Sequence, residues 1–113
     1  MKVFKFGGAS VSTAERIKNV GEILKKYSNE KLLVVVSAMG KTTNALEKVV
    51  EAFYNGDQQK ALQLFQTIKE DHLSLLKQLG SNSHPLLSTG HLLIDFFTEV
   101  EWLLHDKPAR HYD

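Results

Sequence analysis

The chain of 113 residues contains no cysteine. A disulfide framework and any thiolate metal site are therefore excluded. No stretch is apolar for long enough to span a bilayer. The N-terminus has neither the apolar core nor the small-residue cleavage site of a secretory leader, so an intracellular, cytoplasmic location is expected. Charge of one sign is also missing: the formal net charge is +1. A dedicated nucleic-acid or membrane-surface binder usually carries a basic face or run. The densest basic stretch, Arg16, Lys18, Lys25, Lys26 and Lys31, is broken by Glu15, Glu22 and Glu30 and reads as a solvated helix face. Internal repeats, low-complexity segments and domain-separating linkers are absent. What remains is ordinary for a globular chain: 42% hydrophobic and 24% charged residues, enough for one small domain with a modest core.

The pattern along the chain is strand, helix, strand, helix, then a helical hairpin. Val3, Phe4 and Phe6 form a short strand that ends at Gly7-Gly8. Ser12, with Glu15 three residues on, reads as a capping box that starts a helix. Ile17, Val20, Gly21 and Leu24 give that helix one buried face, and it should end near Tyr27. Leu32 to Val36 is a continuous branched apolar run, the signature of a strand buried on both faces of a parallel sheet. Ser37 to Gly40 turns the chain into a second helix with apolar face Leu46, Val49, Val50 and Phe53, stopped by Asn55-Gly56. This order implies a right-handed crossover and an α/β fold.

Asp57 is the expected cap of a long third helix carrying Leu62, Phe65, Ile68, Leu75, Leu76 and Leu79, closed by Gly80. Ser81 to Pro85 reads as a connector. A fourth helix carries Leu92, Leu93, Phe96, Phe97, Val100, Leu103 and Leu104 and stops before Pro108. The last two helices should pack as a hairpin. Two strands do not make a stable sheet with both faces covered. The sequence thus reads as the front of a larger α/β domain.

Two turns are candidates for chemistry. The first is Lys5-Phe6-Gly7-Gly8-Ala9-Ser10. Glycines at the carboxyl end of a strand let backbone N–H groups approach an anion, and a helix start adds its positive end. Lys5 supplies a point charge and Ser10 a hydroxyl. The alternative is a tight turn that needs glycine only for its dihedral angles. The second turn is Ser37-Ala38-Met39-Gly40-Lys41-Thr42-Thr43-Asn44. Its Gly40-Lys41-Thr42 suggests a P-loop, but that pattern requires glycine where Val35 stands. Both turns lie at the carboxyl ends of strands, where open α/β sheets bind ligands.

Together these residues resemble a known family. Lys5-Phe6-Gly7-Gly8-x-Ser10-Val11, then Val34-Val35-Val36-Ser37-Ala38-Met39-Gly40 and Thr43-Asn44, is similar to the aspartate kinase branch of the amino acid kinase family. The family's habitual threonine between Gly8 and Ser10 is Ala9 here. The resemblance implies an amino acid kinase-like parallel sheet. It also implies that residues 1–113 form the N-terminal, incomplete part of a catalytic domain. The implied reaction moves the γ-phosphoryl group of ATP to the side-chain carboxylate of L-aspartate, giving 4-phospho-L-aspartate for lysine, threonine and methionine synthesis. ATP with Mg²⁺ enters as co-substrate, and no tightly bound cofactor is implied. The chain alone is expected to be inactive, because the downstream nucleotide and metal elements of the family lie beyond it.

By the same resemblance Lys5 offsets charge on the transferred group. Gly7, Gly8 and Ser10 hold phosphate, Ser37 bonds substrate or phosphate, Thr43 contacts substrate, and Asn44 flanks it. L-aspartate and ATP are the expected partners, in a homo-oligomer, with no nucleic acid or membrane. Other acceptors within the family, or a non-catalytic interaction module, are the competing readings. No metal ligand set is expected: His72, His84, His91, His105 and His111 show no ligand spacing. Trp102 and Phe96-Phe97 read as core or interface. Asp95, Glu99, Glu101 and Asp106 are spread around a helix and not paired for acid–base work.

Overall fold

The computed structural model describes the backbone of residues 1–80 and 84–106 and the side chains of residues 1–80 and 88–106. The chain divides into two compact units, Met1–Thr42 and Thr43–Asp113.

The first unit contains strand β1 (Lys2–Phe6), a short 3₁₀ turn (Gly8–Val11), helix α1 (Ala14–Lys25) and strand β2 (Leu32–Val36). The strands pair in parallel, with Lys2 opposite Leu32 and Phe6 opposite Val36. Alternation along β1 sends Phe4 and Phe6 to one face. There Phe6, Val11 and Val20 form a small core with Phe4, Ile17, Ile23 and Leu24. Tyr27 closes its edge, its ring 5.0 Å from that of Phe4.

Three details of this unit depart from the sequence expectation. Thr13 caps α1 in place of Ser12: its hydroxyl accepts from the Arg16 N–H at 3.1 Å. The 3₁₀ turn carries the chain one residue further, and Ser12 instead bonds backwards, donating to the Ala9 carbonyl at 2.9 Å. No capping box with Glu15 forms, since Glu15 becomes the second helical residue. Gly21 lies exposed, outside the buried face. The third departure is β2. Leu33, Val34, Val35 and Val36 are 37–55% exposed. The core of this unit draws on β1 and α1 but not on β2, so a strand composed for burial on both faces is covered on neither.

The second unit is built from α2 (Thr42–Tyr54, its first residue in the first unit), α3 (Gln58–Gln78) and α4 (His84–Leu104). Gly56 at φ +81° turns the chain out of α2, and the Asp57 carboxylate caps α3 by accepting from the Lys60 N–H. Gly80 at φ +94° ends α3 in the left-handed conformation that glycine adopts without steric cost. Val49, Ala52, Ala61, Phe65, Ile68, Phe97 and Leu104 form one core. The expected hairpin is present, pinned by Lys69 Nζ to Glu101 Oε1 at 3.0 Å and by Gln58 Nε2 donating to the Leu104 carbonyl at 2.9 Å.

Helix α4 begins at His84, so His84 and Pro85 belong to it and not to a connector. Proline is tolerated in a first turn because no intrahelical N–H is needed there. Residues 81–83, Pro108 and His111 lie outside the described residues. On α4 only part of the expected apolar face is inward. Phe97 and Leu104 are buried and Leu93 and Val100 pack beside them, whereas Leu92, Phe96, Trp102 and Leu103 are 60–76% exposed.

Candidate functional site

The parallel pairing of β1 and β2 brings the first candidate turn and the part of the second from Ser37 to Thr42 to one edge of the first unit. Their backbones are knitted directly. The Ser37 N–H donates to the Phe6 carbonyl at 2.9 Å, which carries the ladder one step past the strands. The Gly40 N–H then donates to the Gly8 carbonyl, also at 2.9 Å. Gly40 reaches that position at φ +50°, within the left-handed region. Thr42 closes the second turn, its hydroxyl donating to the Met39 carbonyl at 2.6 Å.

The two adjacent glycines have different reasons to be glycine. Neither has positive φ. Gly7 is extended at φ −77°, ψ 175°, so the dihedral explanation offered by the sequence does not apply. At Gly8 the reason is packing: a Cβ would sit 2.6 Å from the Gly40 carbonyl oxygen and 3.0 Å from that of Ala38. At Gly7 a Cβ would meet nothing within 4 Å. The described residues therefore give Gly7 no steric need for glycine, and its bare backbone faces open space.

Three consecutive carbonyls in the first turn are held. Gly7 accepts from the Ser10 N–H at 3.0 Å and Gly8 from Gly40. Ala9 accepts from the Ser12 hydroxyl at 2.9 Å and from Arg16 Nη1 at 3.1 Å. In a trans peptide the N–H points opposite the carbonyl before it. Fixing the carbonyls of Gly7 and Gly8 therefore orients the N–H groups of Gly8 and Ala9. Among the described residues neither of these N–H groups, nor that of Gly7, has a backbone or side-chain acceptor. Oriented, unbonded N–H groups in succession make a concave anion site.

The side chains around this edge are donors and cations. Lys5 lies on β1 opposite Val35, on the face away from Phe4 and Phe6, and is exposed. Ser10 and Ser37 are exposed at the two strand ends. Lys5, Arg16 and Lys41 make no ion pair among the described residues. No group of three or more His, Asp or Glu side chains among the described residues is placed to hold a metal ion. Nor is any helix among them long and apolar enough to cross a membrane.

Of the residues singled out from the sequence, Lys5, Gly7, Gly8, Ser10 and Ser37 thus share the first unit. Thr43 and Asn44 open the second, exposed in the first turn of α2. Sequence reading missed Arg16 by placing it among the solvated basic residues of α1. Its one signal was position: the third residue of a helix can reach back over the turn that precedes it.

Comparison with known proteins places this arrangement in a lineage. The model of the amino acid kinase family matches residues 1–112. The chain is 35% identical over 106 residues to "Aspartokinase 1, chloroplastic" of Arabidopsis thaliana, covering 90% of this chain and 17% of that protein. To the aspartokinase of Chlamydia trachomatis it is 35% identical over 108 residues, covering 96% of this chain and 23% of that protein. To "Aspartokinase 2, chloroplastic" of Arabidopsis thaliana it is 40% identical over 80 residues, 69% of this chain and 15% of that protein. The chain therefore spans between 15% and 23% of the length of these relatives. With the family match running almost end to end, and with its glycine turns joined at the carboxyl ends of parallel strands, the chain belongs to the amino acid kinase family.

Proposed function

We propose that this chain carries the phosphate-side edge of an aspartate kinase, which transfers the γ-phosphoryl group of ATP to the side-chain carboxylate of L-aspartate. The observation that carries the reading is the pair of held carbonyls at Gly7 and Gly8, which orients the free N–H groups of Gly8 and Ala9 at the strand edge that also carries Lys5 and Ser37. The choice of aspartate rests on the relatives named aspartokinases.

The chemistry suits these residues. A carboxylate oxygen of aspartate attacks the γ-phosphorus, the bond from that phosphorus to the β–γ bridging oxygen breaks, and ADP leaves with the electron pair. The nucleophile is already ionised at neutral pH, since an aspartate side chain has a pKa of about 3.9, so no general base is required. The obstacle is repulsion between two anions, and phosphoryl transfer asks mainly for position and charge compensation. The N–H groups of Gly7, Gly8 and Ala9 bind phosphate oxygens. Lys5 offsets the charge that spreads over the transferred group, and Ser10 donates to phosphate. Ser37 bonds substrate or phosphate, while Thr43 and Asn44 contact the amino acid. Mg²⁺ arrives with ATP.

The exposed β2 valines support a further part of the reading: in the complete protein the sheet continues past β2, and residues 1–113 are the first part of the catalytic domain. The test is ATP consumption by the complete protein with hydroxylamine present to trap an acyl phosphate. Aspartate-dependent formation of ADP and of the hydroxamate is the expected result. ADP formation that depends on another acceptor would retain the family and overturn the substrate.

A further inference from the structure

The turn that offers the free N–H groups is short, and its own hydrogen bonds are local. Ser10 to Gly7 and Ser12 to Ala9 each span three residues, so such bonds move with the turn and do not fix it to the rest of the unit. Gly40 ties it on one side, through the Gly8 carbonyl. On the other side Val11, at the turn's end, is buried in the core with Phe6 and Val20, and one long-range side-chain hydrogen bond holds the exposed part of the turn. Arg16 reaches back from the first turn of α1, and its Nη1 donates to the Ala9 carbonyl at 3.1 Å.

Arg16 is well placed to transmit rigidity. Its backbone N–H is held by the Thr13 cap at 3.1 Å. The next residue, Ile17, packs on the core formed by Phe6, Val11 and Val20. The peptide between Ala9 and Ser10 is consequently gripped at both ends, its carbonyl by Arg16 and Ser12 and its N–H by the Gly7 carbonyl. Ser10 hangs from that peptide. The guanidinium has five N–H donors in a planar fork, and only one of them, on Nη1, has a partner among the described residues. A fixed cation is thus added beside the turn.

We propose that Arg16 is a positioning residue for the nucleotide phosphates: by holding the Ala9 carbonyl it fixes the Ala9–Ser10 peptide, and with it the direction of the Ser10 side chain at the end of the run of free N–H groups. This rests on the proposed phosphoryl-transfer reading of the same site. It does not rest on aspartate being the acceptor.

The experiment compares Arg16→Met, Arg16→Lys and wild type in the complete protein, with MgATP binding by calorimetry, steady-state kinetics and amide hydrogen exchange. Arg16 is exposed, so Arg16→Met, which keeps an apolar stem, should fold, and its melting temperature checks this. In Arg16→Met the Ser10 amide should exchange about tenfold faster, as expected when a local restraint is lost. Its MgATP affinity should fall about 10- to 100-fold, the scale of a small misplacement at a reacting centre. The KM for aspartate should stay within about twofold of wild type. Arg16→Lys should recover part of the MgATP affinity, since a lysine can still donate to the Ala9 carbonyl. If wild type binds MgATP but shows no aspartate-dependent turnover, the acceptor is wrong, and the loss of MgATP affinity in Arg16→Met still supports the role of Arg16. Unchanged MgATP affinity and unchanged Ser10 exchange in Arg16→Met would overturn it. Absence of MgATP binding by wild type would overturn both this role and the phosphoryl-transfer reading.

Discussion

The N–H of Gly40 donates to the carbonyl of Gly8 at 2.9 Å, and a Cβ added to Gly8 would lie 2.6 Å from the carbonyl oxygen of Gly40. The hydrogen bond and the steric limit are two aspects of one close approach. They separate the roles of two neighbouring glycines that look equivalent in the sequence.

Gly8→Ala should therefore be a folding mutation. The obstacle is backbone, the carbonyls of Ala38 and Gly40 in the facing turn, and neither can swing away like a side-chain tip. The loss should be about 1–3 kcal/mol, the usual scale of overpacking, read by chemical denaturation. A variant as stable as wild type would mean that the turns are not in contact.

Gly7→Ala should behave oppositely. Its backbone angles suit any residue and its Cβ position is open. Stability should hold or rise by up to about 1 kcal/mol, through a less free unfolded chain. MgATP affinity should nevertheless fall by about tenfold, or ~1.4 kcal/mol, because in the proposed reading the methyl group occupies space a phosphate oxygen would use. Calorimetry beside thermal melting separates the two effects. Retained affinity would remove Gly7 from the binding surface.

How far these features were legible in the sequence depends on their range. Both strand ends could be placed because glycine interrupts a short strand with apolar Val3, Phe4 and Phe6 at Phe6-Gly7 and serine interrupts a branched apolar run at Val36-Ser37. The caps at Asp57 and Gly80 were legible for the same local reason. The pairing of Gly8 with Gly40 was not, because it depends on strand register. The Thr13 cap was hidden by the 3₁₀ turn, which shifts the helix start by one residue without a signature of its own. The exposure of β2 could not be read from its composition: Leu33 to Val36 record what such a strand prefers, not what this chain provides. On α4, apolar residues occur on two adjacent stripes, and periodicity alone does not say which of them meets α3.

That choice of stripe is itself testable. Phe97 is 4% exposed and its ring meets that of Phe65 edge-on at 5.6 Å, whereas Phe96 is 60% exposed. Phe97→Ala should cost about 3–5 kcal/mol. Phe96→Ala should change stability by no more than about 0.5 kcal/mol, as for other surface substitutions. Urea titration of the two variants decides it, and equal losses would place both rings in the core.

Lys5 and Thr43 should separate in the steady-state kinetics of the complete protein. Lys5 is exposed, makes no ion pair among the described residues and lies on the sheet face opposite the Phe4–Phe6 core. Removing its charge should leave stability within about 0.5 kcal/mol. In the proposed reaction its role is to offset charge that spreads over the phosphoryl group as the bond to ADP loosens. An interaction that strengthens in the transition state appears in kcat. Lys5→Ala should thus lower kcat by about 10²–10³-fold, the scale of one such donor, and change the KM for aspartate little. Thr43 stands in the first turn of α2 and is exposed, and in the proposed reaction its hydroxyl contacts the amino acid. Thr43→Ala should chiefly raise the KM for aspartate and spare kcat, the pattern of lost uniform binding. The two variants make the assignment a matter of contrast: if Lys5→Ala acted on KM and Thr43→Ala on kcat, the roles given to the phosphate edge and to the start of α2 would have to be exchanged.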